Sequence, residues 1–292
     1  MIILTNNIKK ITKTFNTLLR MIKFSHSVFA LPFAFVGMLI AANGLPNFEI
    51  FILISVAMIS ARSLAMALNR IIDANIDKQN PRTSEREIPS GQIKESSAWF
   101  FSLSMFIIFE VSAYLINMLV FKLSFIVVLL FIIYPFTKRF SIICHLLLGI
   151  IDGLAPIGAY LAISPHFSLP IIMFGLSVSF WVAGFDMIYS MLDHEFDVKH
   201  HLYSASSAYG KNGAILLSKL FHFISLIFLV TAGILSGFGV IYYIATAIIG
   251  SLLIYEQILA ASMKKGKIYA AFFNINSFVG TIVLIAVAIE LL

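Results

Sequence analysis

Apolar stretches long enough to cross a bilayer follow one another along almost the whole chain, and little else can be built from them. Nine are read, at about residues 25–43, 50–69, 98–118, 122–137, 143–163, 169–189, 213–235, 237–256 and 270–291. A helix needs roughly 20 apolar residues to cross the hydrocarbon core, or about 17 if it is short. The expected fold is therefore all-α, a polytopic bundle of nine transmembrane helices in a single domain over residues 1–292. Composition supports this reading. Residues are 60% hydrophobic and 12% charged, against roughly 25% charged in an ordinary globular domain. Cys144 is the single cysteine, which excludes an intramolecular disulfide and a thiolate zinc cluster. The first stretch, behind Lys9, Lys10, Lys13, Arg20 and Lys23, could be a signal peptide, but further spans follow and no clear cleavage site does.

The net charge of +6 could suggest nucleic acid, yet its distribution points to topology, and no nucleic-acid partner is expected. With the N-terminus inside, nearly all Lys and Arg residues fall in or beside the N-terminal segment and the loops after spans two, four, six and eight; Lys122 lies outside and Lys219 within a span. That is a positive-inside pattern. It places the protein in the cell inner (cytoplasmic) membrane with its N-terminus cytoplasmic and its C-terminus outside. The inner loops are long and polar, so chemistry is expected on the cytoplasmic face.

Five of the six aspartates gather in two clusters at that face. Asn69, Asp73 and Asp77 are each four residues apart, which puts all three on one face of a helix continuing span two. Asp186, Tyr189, Asp193 and Asp197 follow at spacings of three, four and four, again one helical face, at the end of span six. Like charges at this spacing repel, so something positive must compensate. Mg²⁺ takes carboxylate oxygens, keeps several waters and typically bridges to substrate phosphates. Two such faces pointing at each other would hold Mg²⁺ bound to a diphosphate.

Cations lie close to both clusters. Arg82 and Arg86 follow the first, and Tyr134-Pro135-Phe136-Thr137-Lys138-Arg139 joins spans four and five. Arginine forks suit phosphate oxygens and lysine supplies a point charge. Arg62 lies seven residues before Asn69, inside span two, where a charge is costly and usually faces a cavity. Asp152, Glu110 and Glu256 are acids within spans whose roles stay open.

These motifs resemble those of the UbiA superfamily of membrane prenyltransferases. The resemblance rests on Asn69, Asp73 and Asp77, on Asp186-x-x-Tyr189-x-x-x-Asp193-x-x-x-Asp197, and on Tyr134-Pro135 leading to Lys138-Arg139. It extends to residues 23–33 in span one and to Leu148-Gly149, Gly153-Leu154-Ala155-Pro156 and Gly158 in span five. The chain departs from the pattern at Arg70, Phe196, His201 and Tyr203. The resemblance implies a UbiA-type bundle with a cytoplasmic cap over a central cavity, open to lipid for the prenyl tail. It is similar to the branch that prenylates 4-hydroxybenzoate.

On this reading Mg²⁺ is the cofactor, a polyprenyl diphosphate the donor and an aromatic acid the acceptor, and the product belongs to respiratory quinone biosynthesis. Asp73, Asp77, Asp193 and Asp197 are the expected metal ligands. Asn69 completes or orients the metal site, while Lys138, Arg139 and Arg82 contact phosphate. Tyr189 and Asp186 face the same side as the second pair, and Tyr189 could position the acceptor or stabilise the allylic cation. An acceptor carboxylate needs a cation, for which Arg62 and Lys23 are candidates and His26 a weaker one. Rival readings are a menaquinone-pathway enzyme acting on a dihydroxynaphthoate, a haem or chlorin prenyltransferase of the same superfamily, and a transporter. A transporter tends to place its ionisable groups near the bilayer midplane, whereas these aspartates cluster at one interface.

Overall fold

A computed structural model describes residues 14, 16–23 and 27–292, save the side chains of residues 27–30 and 272. Lys9, Lys10, Lys13 and His26 lie outside the described residues. The helices, in chain order, are α1 (Ser27–Ala42), α2 (Phe48–Ile72), α3 (Ala74–Gln79), α4 (Glu95–Ile116), α5 (Met118–Thr137), α6 (Cys144–Ile163) and α7 (Leu169–Ser190). They continue with α8 (His194–Lys199), α9 (Ala205–Ser236), α10 (Val240–Ala261), α11 (Lys265–Ala270), a π-helical turn (Ala271–Ile275) and α12 (Asn276–Leu291). The described residues contain no strand.

Each expected span has its helix. Among the described residues, eight helical segments are long and apolar enough to cross a membrane, the last of them the composite Lys265–Leu291. The ninth, α1, has 16 residues and is the short one. The largest boundary difference is at α9, which begins at Ala205, well before the apolar run. Ser204 and Ser207 form a reciprocal capping box there, and Gly210 (φ 73°) bends the polar first turns away from the membrane-spanning remainder.

α7 is the axis of the bundle, packed between α6 and α9; α1 lies between α6 and α12, and α2 against α4. The α6–α7 contact depends on missing side chains. A Cβ on Gly149 would stand 2.0 Å from the Ser179 carbonyl oxygen, and one on Gly153 2.1 Å from Ser179 Oγ. Small residues allow such close backbone approach, and dispersion then replaces the hydrophobic drive that lipid cannot supply. Phe33, Phe174, Trp181 and Tyr242 fill the core between α1, α7, α10 and α12. Large apolar side chains of α4, α5, α9 and α10, among them Phe100, Phe125, Phe223 and Ile254, are exposed. In a soluble protein that would be an aggregating surface; on these helices it is the lipid-facing one.

Both aspartate motifs are built alike. A long helix ends at or just before the first metal-ligand candidate, α2 at Ile72 and α7 at Ser190, and Asp73 (φ −90°, ψ 0°) or Asp193 (φ −103°, ψ 3°) then caps a six-residue helix. The single helical faces expected from spacing are thus broken at Asp73 and at residues 191–193. The carboxylates stay in line because Asp77 N still bonds Asp73 O (2.8 Å) and Asp197 N bonds Asp193 O (2.8 Å). α3, the loop of residues 80–93 and α8 cover one end of the bundle.

Candidate active site

Each aspartate of the two motifs is engaged. Lys138 Nζ donates to Asp73 Oδ2 at 2.7 Å, and Asn69 Nδ2 approaches the same oxygen at 3.2 Å. Arg139 donates to the Ile72 carbonyl at 3.0 Å and stands 3.9 Å from Asp73 Oδ1. Arg86 Nη1 bridges both oxygens of Asp77 at 2.7 Å. In the second motif Arg82 grips Asp193, Nε to Oδ1 at 2.7 Å and Nη2 to Oδ2, while its Nη1 donates to Tyr189 Oη at 2.7 Å. Asn80 Nδ2 adds a bond to Asp193 Oδ1 at 2.8 Å. Asp197 accepts from Ser204 Oγ at 2.9 Å.

The loop after the first motif therefore ties that motif to the second. Asn80 also accepts the Arg82 amide (2.9 Å), a local turn that aims the guanidinium, and Thr83 Oγ1 bonds Asp77 O at 3.1 Å. Arg82 stands against Asp193, Arg86 against Asp77, and Lys138 and Arg139 against Asp73, while Asp197 is held by the Ser204 hydroxyl. The cations expected at phosphate here pair with carboxylates that would otherwise repel. Burial raises Asp73 above the usual carboxylate range, against the pull of Lys138, and lifts Asp197 to about 6, against the Ser204 bond.

Deeper in the bundle Asp186 meets His145 on α6, Oδ2 to Nδ1 at 2.7 Å. Arg62 lies inside α2 with its buried Nε unpaired among the described residues, within reach of the Asp152 charge. Tyr189 sits edge-on to Tyr269 and to Phe273, whose rings stack on each other over the π-helical turn. Lys23 Nζ lies 5.3 Å from the Phe273 ring centroid. Burial, then the charges of Arg70, Arg86 and Arg82, push Lys23 down to about 8. The other intramembrane acids bridge helices: Glu110 accepts from Ser124 (2.6 Å) and Glu256 from Asn276 (3.0 Å).

The departures from the expected motif have local explanations. Arg70 turns away from the aspartates and donates Nε to the Met21 carbonyl at 3.2 Å, holding the segment before α1. Phe196 stacks on His200 at 4.2 Å. His201 takes a left-handed backbone (φ 54°), and Tyr203 anchors through its main chain, its N–H donating to Lys138 O at 2.7 Å. Arg86 and Asn80, both in the polar loop after the first motif, are contacts that local spacing does not announce. His145 and Ser204 were not among the expected site residues; a histidine opening an apolar span was the available signal.

A family model for the UbiA prenyltransferase family matches residues 30–278. The chain belongs to the UbiA prenyltransferase family. Two of its relatives in this family are 4-hydroxybenzoate octaprenyltransferases. That of Vibrio atlanticus is 30% identical over 259 residues, covering 87% of this chain and 88% of that one. That of Francisella tularensis subsp. novicida is 27% identical over 254 residues, covering 87% and 89%. The apo structure of a UbiA homologue from Aeropyrum pernix superposes with a TM-score of 0.83 at 32% identity, covering 92% of this chain and 98% of that one. A UbiA homologue from Archaeoglobus fulgidus, bound to GPP and Mg²⁺, superposes at 0.70 with 18% identity, covering 93% and 99%; at that identity the likeness speaks for the fold alone. The UbiA chain is thus a polytopic membrane prenyltransferase.

The aspartates suit a magnesium ion by donor type and by one unsatisfied atom. All are hard oxygen donors, and the buried Asp73 Oδ1 accepts no hydrogen bond among the described residues. Those residues contain no group of three or more His, Cys, Asp or Glu side chains able to hold an ion by themselves.

Proposed function

We propose that this UbiA prenyltransferase transfers a polyprenyl group from an isoprenyl diphosphate to an aromatic acid of the 4-hydroxybenzoate type, in respiratory quinone biosynthesis. It would act at the inner membrane with its N-terminus in the cytoplasm, as the positive-inside pattern favours. The observation that carries the donor half is the meeting of two aspartate motifs at one end of the bundle, each already bound to cations. The names of the Francisella and Vibrio relatives support the acceptor, as does the unpaired Nε of Arg62, a buried cation able to receive a carboxylate.

Asp73, Asp77, Asp193 and Asp197 would hold Mg²⁺, and Asn69 would orient Asp73. The ion supplies charge to the departing diphosphate, which favours ionisation of the allylic C–O bond. Arg82, Lys138 and Arg139 exchange their carboxylate partners for phosphate oxygens, so no charge is left unpaired when substrate enters. The aromatic faces of Tyr189 and its neighbours line the place where positive charge develops. Asp186 and Arg62 orient the acceptor ring, and Lys23 adds a cation at the cap.

Membranes holding the protein, labelled polyprenyl diphosphate, Mg²⁺ and either 4-hydroxybenzoate or a dihydroxynaphthoate provide the test. The expected result is prenylated hydroxybenzoate. A prenylated naphthoate would instead place the enzyme on the menaquinone route, and no product with either acceptor would overturn the acceptor class.

A further inference from the structure

His145 is the second residue of α6 and is 3% exposed. Its Nδ1 lies 2.7 Å from Asp186 Oδ2 and its Nε2 2.9 Å from the amide nitrogen of Ala205, the first residue of α9. A backbone amide only donates, so Nε2 must be the lone-pair nitrogen and Nδ1 the protonated one. The imidazole is therefore neutral as drawn by its partners: it accepts from Ala205 and donates to Asp186.

The two ends of this bridge serve different parts of the site. Ala205 follows Ser204, whose hydroxyl holds Asp197 of the second motif at 2.9 Å. Asp186 lies seven residues before Asp193; His145 holds its Oδ2, and its carboxylate stays 19% exposed, open to a ligand. The neighbouring Cys144 donates Sγ to the Tyr203 carbonyl at 3.5 Å, so two successive residues of α6 clasp the α8–α9 connection.

We infer that His145 is a positioning residue that holds the acceptor-side carboxylate, Asp186, in register with the metal-side loop carrying Ser204 and Asp197. The inference deepens the proposed function and rests on its reading of Asp186 as an acceptor contact. The imidazole does not touch substrate. It sets which way Asp186 presents its carboxylate and keeps the start of α9 where Ser204 can orient Asp197. One side chain thus aligns the two half-sites whose reacting carbons must meet, and small misplacements of that kind weaken catalysis strongly.

Two substitutions separate the two bonds. Asparagine places an amide near the Nδ1 position and can still donate to Asp186, whereas glutamine places its amide oxygen near Nε2 and can still accept from Ala205. The experiment measures Mg²⁺-dependent binding of geranyl diphosphate by calorimetry in detergent, and separately KM for 4-hydroxybenzoate. His145→Asn is expected to weaken geranyl diphosphate binding about tenfold with little change in acceptor KM; His145→Gln is expected to do the reverse, each matching the loss of one hydrogen bond to a charged or anchored group. Asp186→Asn, which keeps His145 and the size of the side chain, should raise acceptor KM, and adding His145→Gln to it should raise KM less than the two changes do separately.

Equal effects of the asparagine and glutamine variants on both readouts, or full additivity with Asp186→Asn, would overturn the positioning role. Wild-type protein that binds geranyl diphosphate with Mg²⁺ but prenylates no hydroxybenzoate would count against the acceptor reading instead, and the calorimetric comparison of the variants still decides the metal-side half of the inference.

Discussion

Arg82 joins Asp193 to Tyr189, donating Nε to the carboxylate at 2.7 Å and Nη1 to the phenol oxygen at 2.7 Å, with its guanidinium carbon 5.0 Å from the tyrosine ring centroid. One planar fork thus fixes a carboxylate of the proposed metal set and the aromatic face of Tyr189, from a loop that begins at the first aspartate motif. Lysine cannot reproduce this, because an ammonium is a point donor without a fork or a stacking face.

Arg82→Lys is accordingly expected to lower kcat/KM for the prenyl diphosphate by about 10- to 100-fold, the size of one or two charge-assisted bonds. Steady-state kinetics in detergent checks this. A wild-type value in the lysine variant would mean that the fork has no part in the site.

Removal of the divalent ion with EDTA should stop turnover, and added Mg²⁺ should restore it. Asp73→Ala should stop turnover with no rescue by added Mg²⁺, because it removes a proposed ligand and also leaves Lys138 beside Asn69 without its carboxylate. Product formation from labelled prenyl diphosphate reads both. Substantial turnover in EDTA, or in the alanine variant, would sink the metal assignment.

Lys23 gives a pH dependence with a definite sign. Burial lowers its pKa to about 8, so the ammonium is present below that pH and is lost as pH rises through it. If the charge helps to hold the anionic donor, KM for prenyl diphosphate should rise above pH 8 in the wild type. In Lys23→Arg this alkaline limb should move beyond the range of the assay, since a guanidinium stays protonated. The same shift, from an unfolded value near 10.5, makes the folded state gain stability between pH 8 and 10.5, where the unfolded chain binds more protons. An identical alkaline limb in the arginine variant would assign it to another group.

Gly149→Ala tests the packing that carries the site. The new methyl would meet the Ser179 carbonyl at 2.0 Å, so α6 and α7 must separate. A loss of about 1–3 kcal/mol is expected, as for other overpacked contacts, seen as a lower melting temperature in detergent. Because His145 and Asp186 lie on these two helices, activity should fall further than the fraction of folded protein does. An unchanged melting temperature would show that the contact yields at no cost.

The spans were legible because their signal is one-dimensional: a run of apolar residues is the same length in any fold. The aspartates were legible for a similar reason, since spacings of three and four place side chains on one helical side whatever surrounds them. That geometry survives the breaks at Asp73 and at residues 191–193, because the i to i+4 backbone bond from each leading aspartate resumes the next turn.

Partner choice was not legible in this way. Arg82 lies 111 residues from Asp193, Lys138 65 from Asp73, and His145 60 from Ala205. Nothing in local spacing announces such pairs, and the arginines read from sequence as phosphate contacts are carboxylate partners in the folded chain. Sequence alone determined an all-helical membrane bundle with paired acidic motifs at one face, because length, hydropathy and periodicity act locally. Only the tertiary structure decided which cation faces Asp73, Asp77 and Asp193, that Arg70 turns to the backbone of Met21, and that one histidine joins Asp186 to the start of α9. Those outcomes follow from close packing at one end of the bundle, where a buried charge must find its partner from whichever helix stands nearest.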